Sequence, residues 1–75
     1  MKDKISIIIP VFNEEKNIFL LYNRITEVMN IEKYNYEILL VDDGSSDDSN
    51  SIMQNLHKSD KNVKIIKLKM NIYVY

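Results

Sequence analysis

ILLVDDGSSDDSN, residues 38–50, is the stretch on which the reading of the fold turns. Four apolar residues run directly into two aspartates, a glycine, two serines and two more aspartates. A short, dense apolar run closed by turn-forming residues reads as a buried strand that ends in a loop, and the polar cluster after it as the approach to a helix. Negative charge therefore sits at the lip of a hydrophobic element.

Outward from that stretch, two kinds of segment alternate. Upstream, KISIIIPVF (residues 4–12) is β-branched and stopped by Pro10, a second short buried strand. Between the two lies EEKNIFLLYNRITEVMN (14–30), in which Ile18, Leu21, Ile25, Val28 and Met29 recur at spacings of three and four, the stripe of an amphipathic helix. Downstream, SDDSNSIMQNLHKS (46–59) predicts a weaker helix with Ile52, Met53 and Leu56 inward, and NVKIIKLK (62–69) a third strand. MNIYVY (70–75) carries no clear assignment. No repeat, low-complexity tract or linker interrupts the pattern.

Strand, helix, strand, helix, strand is the signature of a parallel α/β sheet. Right-handed crossovers that both move the same way give the order 3-2-1 and put both helices on one face. Side chains alternate along a strand. Ile5, Ile7 and Ile9 thus oppose Ile8, Ile38 and Leu40 oppose Leu39 and Val41, and Val63 and Ile65 oppose Ile66 and Leu68. Both faces are apolar, as in parallel sheets covered on both sides, yet the helices suffice for one. A homo-oligomer or a completing partner would cover the bare face; so would later segments of a larger domain, of which these residues would be the front half.

Bulk properties narrow the function. Seventy-five residues make at most one domain, and a chain of that size buries only about 60–65% of its unfolded surface. There is no cysteine, hence no disulfide or thiolate metal site, and the single His57 argues against a histidine-built zinc centre. Ten basic against eleven acidic residues give a net charge of −1, without the basic excess of a nucleic-acid binder. The longest aliphatic or phenylalanine runs are far below the roughly 18–20 residues of a membrane span, and the amino end lacks the apolar core of a signal peptide. The expected compartment is the cytoplasm or the cytoplasmic face of a membrane.

In a parallel sheet, ligands bind outside the carboxyl ends of the strands, near helix amino termini. Asn13 and Glu14 at the end of the first strand and Asp42 and Asp43 at the end of the second are expected to converge on one rim. Local structural roles compete there. Ser45 with Asp48 fits a capping box, Asp47 and Asp48 suit a first helical turn, Asn13 is a candidate cap for the first helix, and Gly44 suits a turn with positive φ. Asp42 and Asp43 are placed before the helix, where adjacent carboxylates repel, so a functional role is expected for at least one. A carboxylate at such a rim accepts hydrogen bonds from a base N–H or ribose hydroxyls, or helps to hold a hard cation. DDGSSDD does not follow the calcium-loop spacing, and G-x-G-x-x-G, Walker A and G-x-S-x-G stretches are absent.

ISIIIPVFNEEKNI (5–18) followed by EILLVDDGSSDDS (37–49) resembles the amino terminus of the family 2 glycosyltransferases, a group with a GT-A fold that includes dolichyl-phosphate mannosyltransferase-like and bactoprenol glucosyltransferase-like enzymes. The likeness spans residues 4 to about 68 and rests on two ordered motifs. It implies a Rossmann-like half-domain that binds a UDP-, GDP- or dTDP-linked sugar, in a transferase of hexosyl groups acting with inversion in cell-envelope polysaccharide or glycolipid biosynthesis. The P-x-[YF]-N-E loop implicates Pro10, Val11, Phe12, Asn13 and Glu14 in donor binding, and the second motif Val41, Asp42 and Asp43. Gly44 and Ser45 complete that set more as turn and cap than as contacts. The FNEE form of the first loop leans toward polyprenyl-phosphate acceptors at a membrane.

The departures carry expectations too. The family continues into R-N-x-G, then a D-x-D motif that holds Mg²⁺ or Mn²⁺ against the diphosphate, then an acidic base for the acceptor hydroxyl. Here Met70 precedes Asn71, Tyr73 stands where glycine is expected, and neither later motif is present. Residues 1–75 are therefore expected to be a partial domain, truncated or excised, with no catalytic residue or metal site and no turnover by itself. Two other classes share parts of this pattern: a non-catalytic nucleotide-binding α/β module, and a phosphoacceptor receiver domain. In a receiver the acidic pair ends the first strand and an aspartate closes the next one, whereas VKIIKLKMN has none.

Overall fold

The computed structural model describes residues 3–68. Strand β1 (Ile5–Val11), helix α1 (Ile18–Ile31), strand β2 (Tyr36–Asp42), helix α2 (Ser49–Ser59) and strand β3 (Val63–Lys67) follow in chain order. The strands pair in parallel in the order β1-β2-β3, with β2 central, as the crossover argument requires. Ile7 stands opposite Ile38, Ile9 opposite Leu40, and Leu40 opposite Ile65.

One face of the sheet is the core. Ile38, Leu40 and Val63 are fully buried against Ile18 of α1 and Met53 and Leu56 of α2, with Val11 and Tyr36 at its two ends. The alternation within the strands decides this: Tyr36, Ile38, Leu40 and Asp42 are buried while Glu37, Leu39 and Val41 between them are half-buried. On the opposite face Ile8 is 65% exposed and Ile66 44%. The apolar second face expected from the sequence is therefore present, and no element among the described residues covers it.

Helix α1 differs from its expected stripe. Ile18, Tyr22, Ile25 and Met29 pack toward the core, whereas Leu21 and Val28 are exposed. At roughly 100° per residue the first four cluster within a narrow arc, while Leu21 and Val28 fall some 70–90° to one side. Tyr22 takes the inner position that Leu21 was expected to hold, and its hydroxyl donates to Asp60 Oδ2 at 2.6 Å, tying α1 to the end of α2. Burial and the Asp60 carboxylate together push the Tyr22 phenol up to about 12.

Helix α1 ends in a Schellman motif. The N–H of Tyr34 donates to the Met29 carbonyl and that of Lys33 to Asn30, with Lys33 in the left-handed region at φ 57°. Helix α2 begins three residues later than expected, at Ser49, because residues 45–47 are engaged elsewhere. Its cap is Asp48, without a side-chain cap bond, and its first turn holds no acidic residue. Ser45 and Asp48 therefore form no capping box, contrary to the expectation, and Asp47 and Asp48 precede the first helical turn instead of lying in it. At its other end His57 Nδ1 lies 2.7 Å from the Val63 carbonyl, and since the carbonyl only accepts, this nitrogen carries the proton. The departures noted at Met70, Asn71 and Tyr73, and the unassigned tail, lie outside the described residues.

Candidate functional site at the carboxyl rim of the sheet

Parallel pairing brings the carboxyl ends of β1 and β2 side by side, with Val11 opposite Asp42. One residue on, the N–H of Asp43 donates to the Val11 carbonyl at 2.8 Å, and the N–H of Leu68 donates to the Asp42 carbonyl at 3.0 Å. The loops that leave β1 and β2 therefore start from a shared edge. Asn13, Glu14, Asp42 and Asp43 do converge there.

The two aspartates do different things. Asp42 is buried, and its Oδ1 accepts the N–H of Ser45 at 3.0 Å, closing the turn in which Gly44 adopts φ 80°. The positive φ expected of Gly44 is thus required by the turn. Asp43 is half-buried, and its Oδ1 is shielded from solvent without a hydrogen-bond partner among the described residues. A buried acceptor left unpaired costs about 1–3 kcal/mol. Such an oxygen at a sheet rim is suited to receive a donor from outside the chain.

Asn13 does not cap α1, as the sequence suggested; that position belongs to Asn17, whose side chain makes no cap bond. Asn13 sits in the left-handed region at φ 52° and turns its side chain across to the second loop, where Oδ1 accepts the N–H of Ser46 at 2.8 Å and of Asp47 at 3.3 Å. In return, Ser45 Oγ accepts the N–H of Asn13 at 3.0 Å, Ser49 Oγ that of Glu14 at 2.9 Å, and Asp47 Oδ2 that of Glu15 at 3.2 Å. Burial works against ionisation of Asp47, but bonds from the Ser49 hydroxyl and from the N–H groups of Ser49 and Glu15 outweigh it and hold the carboxyl below its ordinary range. Ser46, Asp47 and Ser49 were missed as members of this site. The signal was a run of short polar side chains facing a second such run, which is visible only once the two loops are known to be neighbours.

The remaining expected residues divide. Phe12 is 54% exposed beside the rim, a free aromatic face. Pro10, Val11 and Glu14 border an open cavity of about 330 Å³ between β1 and α1, closed further by Ile9, Ile18, Leu21, Tyr22 and Leu40. That lining is mostly apolar. Val41, Asp42, Asp43, Gly44 and Ser45 do not reach it, so the cavity meets the rim through the end of β1 and the first loop alone. Among the described residues no group of three or more His, Cys, Asp or Glu side chains is placed to hold a metal ion, and no helix is long and apolar enough to cross a membrane.

A parallel βαβαβ sheet with polar loops gathered at its carboxyl edge is the layout of a Rossmann-like ligand-binding domain. Comparison with known proteins makes the class specific, since the glycosyl transferase family 2 profile matches residues 6–72. The chain belongs to that family, and its sheet is the Rossmann-like amino-terminal part of the GT-A fold. An uncharacterized glycosyltransferase of Bacillus subtilis (strain 168) is 47% identical over 66 residues, which is 88% of this chain and 20% of that protein. A prophage bactoprenol glucosyl transferase homolog of Escherichia coli (strain K12) is 42% identical over 57 residues, 76% of this chain and 19% of the relative. An undecaprenyl-phosphate 4-deoxy-4-formamido-L-arabinose transferase of Enterobacter sp. (strain 638) is 48% identical over 50 residues, 67% of this chain and 15% of the relative. The chain thus spans about a fifth or less of the length of these relatives.

Proposed function

We propose that this chain supplies the donor-nucleotide side of a glycosyltransferase that uses a UDP-, GDP- or dTDP-linked sugar. The observation that carries the reading is the shielded, unpartnered Oδ1 of Asp43 at the carboxyl rim. A carboxylate there accepts from a base N–H or a ribose hydroxyl, and Phe12 offers its exposed ring to the base or sugar. Pro10, Val11 and Glu14 shape the first wall of the donor site, and Val41, Asp42 and Gly44 the second. The rim is acidic, so it suits the nucleoside and repels the diphosphate. Compensation of that charge is the task of the Mg²⁺ or Mn²⁺ expected of the full-length family member, which stabilises the departing diphosphate when bound. The described residues offer no cluster for that ion.

The reaction served is transfer with inversion. The acceptor oxygen forms a bond to the anomeric carbon and the bond from that carbon to the diphosphate breaks; a hydroxyl acceptor passes its proton to the acidic base expected of the full-length family member, whereas a phosphate oxygen attacks already deprotonated. The names of the Escherichia coli and Enterobacter relatives favour a polyprenyl phosphate as acceptor over a free hydroxyl, and with it work at the cytoplasmic face of a membrane. The 75-residue chain by itself binds donor without turning it over.

Isothermal titration of the purified, folded chain with UDP and GDP, with and without Mn²⁺, tests the donor site. Saturable binding that weakens at least tenfold in Asp43→Ala supports it. A folded chain that binds neither nucleotide overturns it. Sugar transfer above background by the same chain, with a polyprenyl phosphate supplied, would overturn the claim of inactivity alone.

A further inference from the structure

Three consecutive backbone N–H groups of the first loop, those of Asn13, Glu14 and Glu15, all donate to side chains of the second: Ser45 Oγ, Ser49 Oγ and Asp47 Oδ2. Two consecutive N–H groups of the second loop, those of Ser46 and Asp47, donate back to the single Oδ1 of Asn13. The Ser46 hydroxyl adds a longer contact to the same atom at 3.4 Å. The strand pairing ends at Val11 and Asp43, and beyond it these bonds set how far apart the described parts of the two loops stand.

We infer that Asn13 is a positioning residue rather than a donor contact, the brace that holds the Phe12 side of the rim at a fixed distance from the Asp43 side. An amide oxygen has two lone pairs, and Oδ1 already accepts from two N–H groups and one hydroxyl, which leaves it no capacity for a ligand. The backbone fits the same role. Asparagine enters the left-handed region more readily than other residues bearing a side chain, and at φ 52° its N–H meets Ser45 while its side chain reaches Ser46 and Asp47. One residue thus supplies both halves of a reciprocal lock. Phe12 and Asp43 flank the lock in sequence, one residue before Asn13 and two before Ser45. Slack in it separates the two groups that the donor must bridge. This inference rests on the donor reading above only for the consequence on binding; the lock itself does not.

The test uses the whole chain and two substitutions. Asn13→Gly keeps the left-handed backbone and the N–H while deleting Oδ1; Asn13→Asp keeps an acceptor oxygen but removes the amide donors. Amide hydrogen exchange is followed at Ser46 and Asp47 by NMR, beside titration with UDP and GDP. The expected result is exchange at both amides at least tenfold faster in Asn13→Gly, restored to within about threefold of wild type in Asn13→Asp, with nucleotide affinity at least fivefold lower in Asn13→Gly. Unchanged exchange in Asn13→Gly overturns the brace. So does faster exchange with unaltered affinity, which would show that the loops need no lock to bind. Affinity lost in both variants while exchange recovers in Asn13→Asp would make the amide group a direct contact and overturn the inference as well. If wild type binds neither nucleotide but the exchange pattern holds, the donor reading fails and the lock stands.

Discussion

Asp42 and Asp43 are adjacent and chemically identical, and the strand alternation alone separates their roles. Asp42 is the last residue of β2 and shares the inward parity of Ile38 and Leu40, so its carboxylate is buried and closes the Gly44 turn through Ser45. Asp42→Ala removes the acceptor and leaves that N–H unpaired, and should lower stability by about 1–3 kcal/mol, read as a reduced urea midpoint. Asp43→Ala should lower it less, because it deletes an oxygen that is already unpaired; equal losses would show that the two carboxylates share one structural task. Acid should act through Asp47. Its folded pKa lies below the unfolded value, so its contribution is full above the ordinary aspartate range and is lost as pH falls through the folded pKa. Wild type minus Asp47→Asn stability should therefore shrink on acidification below about pH 4, and a difference constant down to pH 2 would contradict the lock that holds this carboxylate.

The elements show how far the pattern of residues reaches. All three strands, their parallel order and the inward parity of Ile5, Ile9, Ile38, Leu40, Val63 and Ile65 follow from alternation and crossover handedness, which are local or nearly universal. The face of α1 was legible only to within about a quarter turn, because IFLLY offers five neighbouring apolar or aromatic residues and periodicity cannot rank them; the tie is broken by Asp60, 38 residues away, which takes the Tyr22 hydroxyl. The start of α2 departs from the sequence pattern for a related reason. Ser45 and Asp48 satisfy a local capping rule, but Ser45 is taken by Asn13 from another loop. Lys33 offers an element-scale test. It holds the left-handed position of a Schellman motif that glycine ordinarily fills, so Lys33→Gly should raise stability by about 0.5–1 kcal/mol despite the added chain entropy. A lower thermal midpoint in that variant would mean that the Lys33 side chain contributes packing that outweighs the backbone relief.

At the scale of the whole molecule, two features bear on how the chain holds together. The Tyr22–Asp60 bond joins the only two helices of the described fold on their shared side of the sheet. The phenol is raised from 10.0 to about 12, by burial first and by Asp60 next. A group whose folded pKa exceeds its unfolded one contributes stability that is complete below the unfolded value and lost as pH rises through the folded value. The advantage of wild type over Tyr22→Phe, about 1 kcal/mol at neutral pH for a partly exposed bond, should hold up to about pH 10 and vanish toward pH 12. An advantage that persisted at pH 12 would place the contribution in packing rather than in the hydrogen bond.

The other feature is the uncovered face. Ile8 and Ile66 are exposed, with half-buried Leu39 and Val41 between them on β2, so a continuous apolar strip crosses the sheet opposite the helices. Parallel sheets ordinarily bury both faces, and a strip of this kind drives association when nothing else covers it. The matched region is 20% of the Bacillus subtilis relative, so a protein of that length has chain available to cover the strip; in the isolated 75-residue chain association between molecules is the competing way to bury it. The isolated chain should therefore show concentration-dependent association in sedimentation velocity. Ile66→Lys, at a position already 44% exposed on a terminal strand, should shift it toward monomer, with a urea midpoint changed by no more than the roughly ±0.5 kcal/mol usual for surface sites. Leu40→Ala, on the other face and 2% exposed, should cost about 2–5 kcal/mol without relieving association. Association that Ile66→Lys leaves untouched would place the contact on the exposed flank of α1, where Phe19, Leu20, Val28 and Ile31 offer the alternative apolar surface, and would leave the sheet face as one that tolerates water.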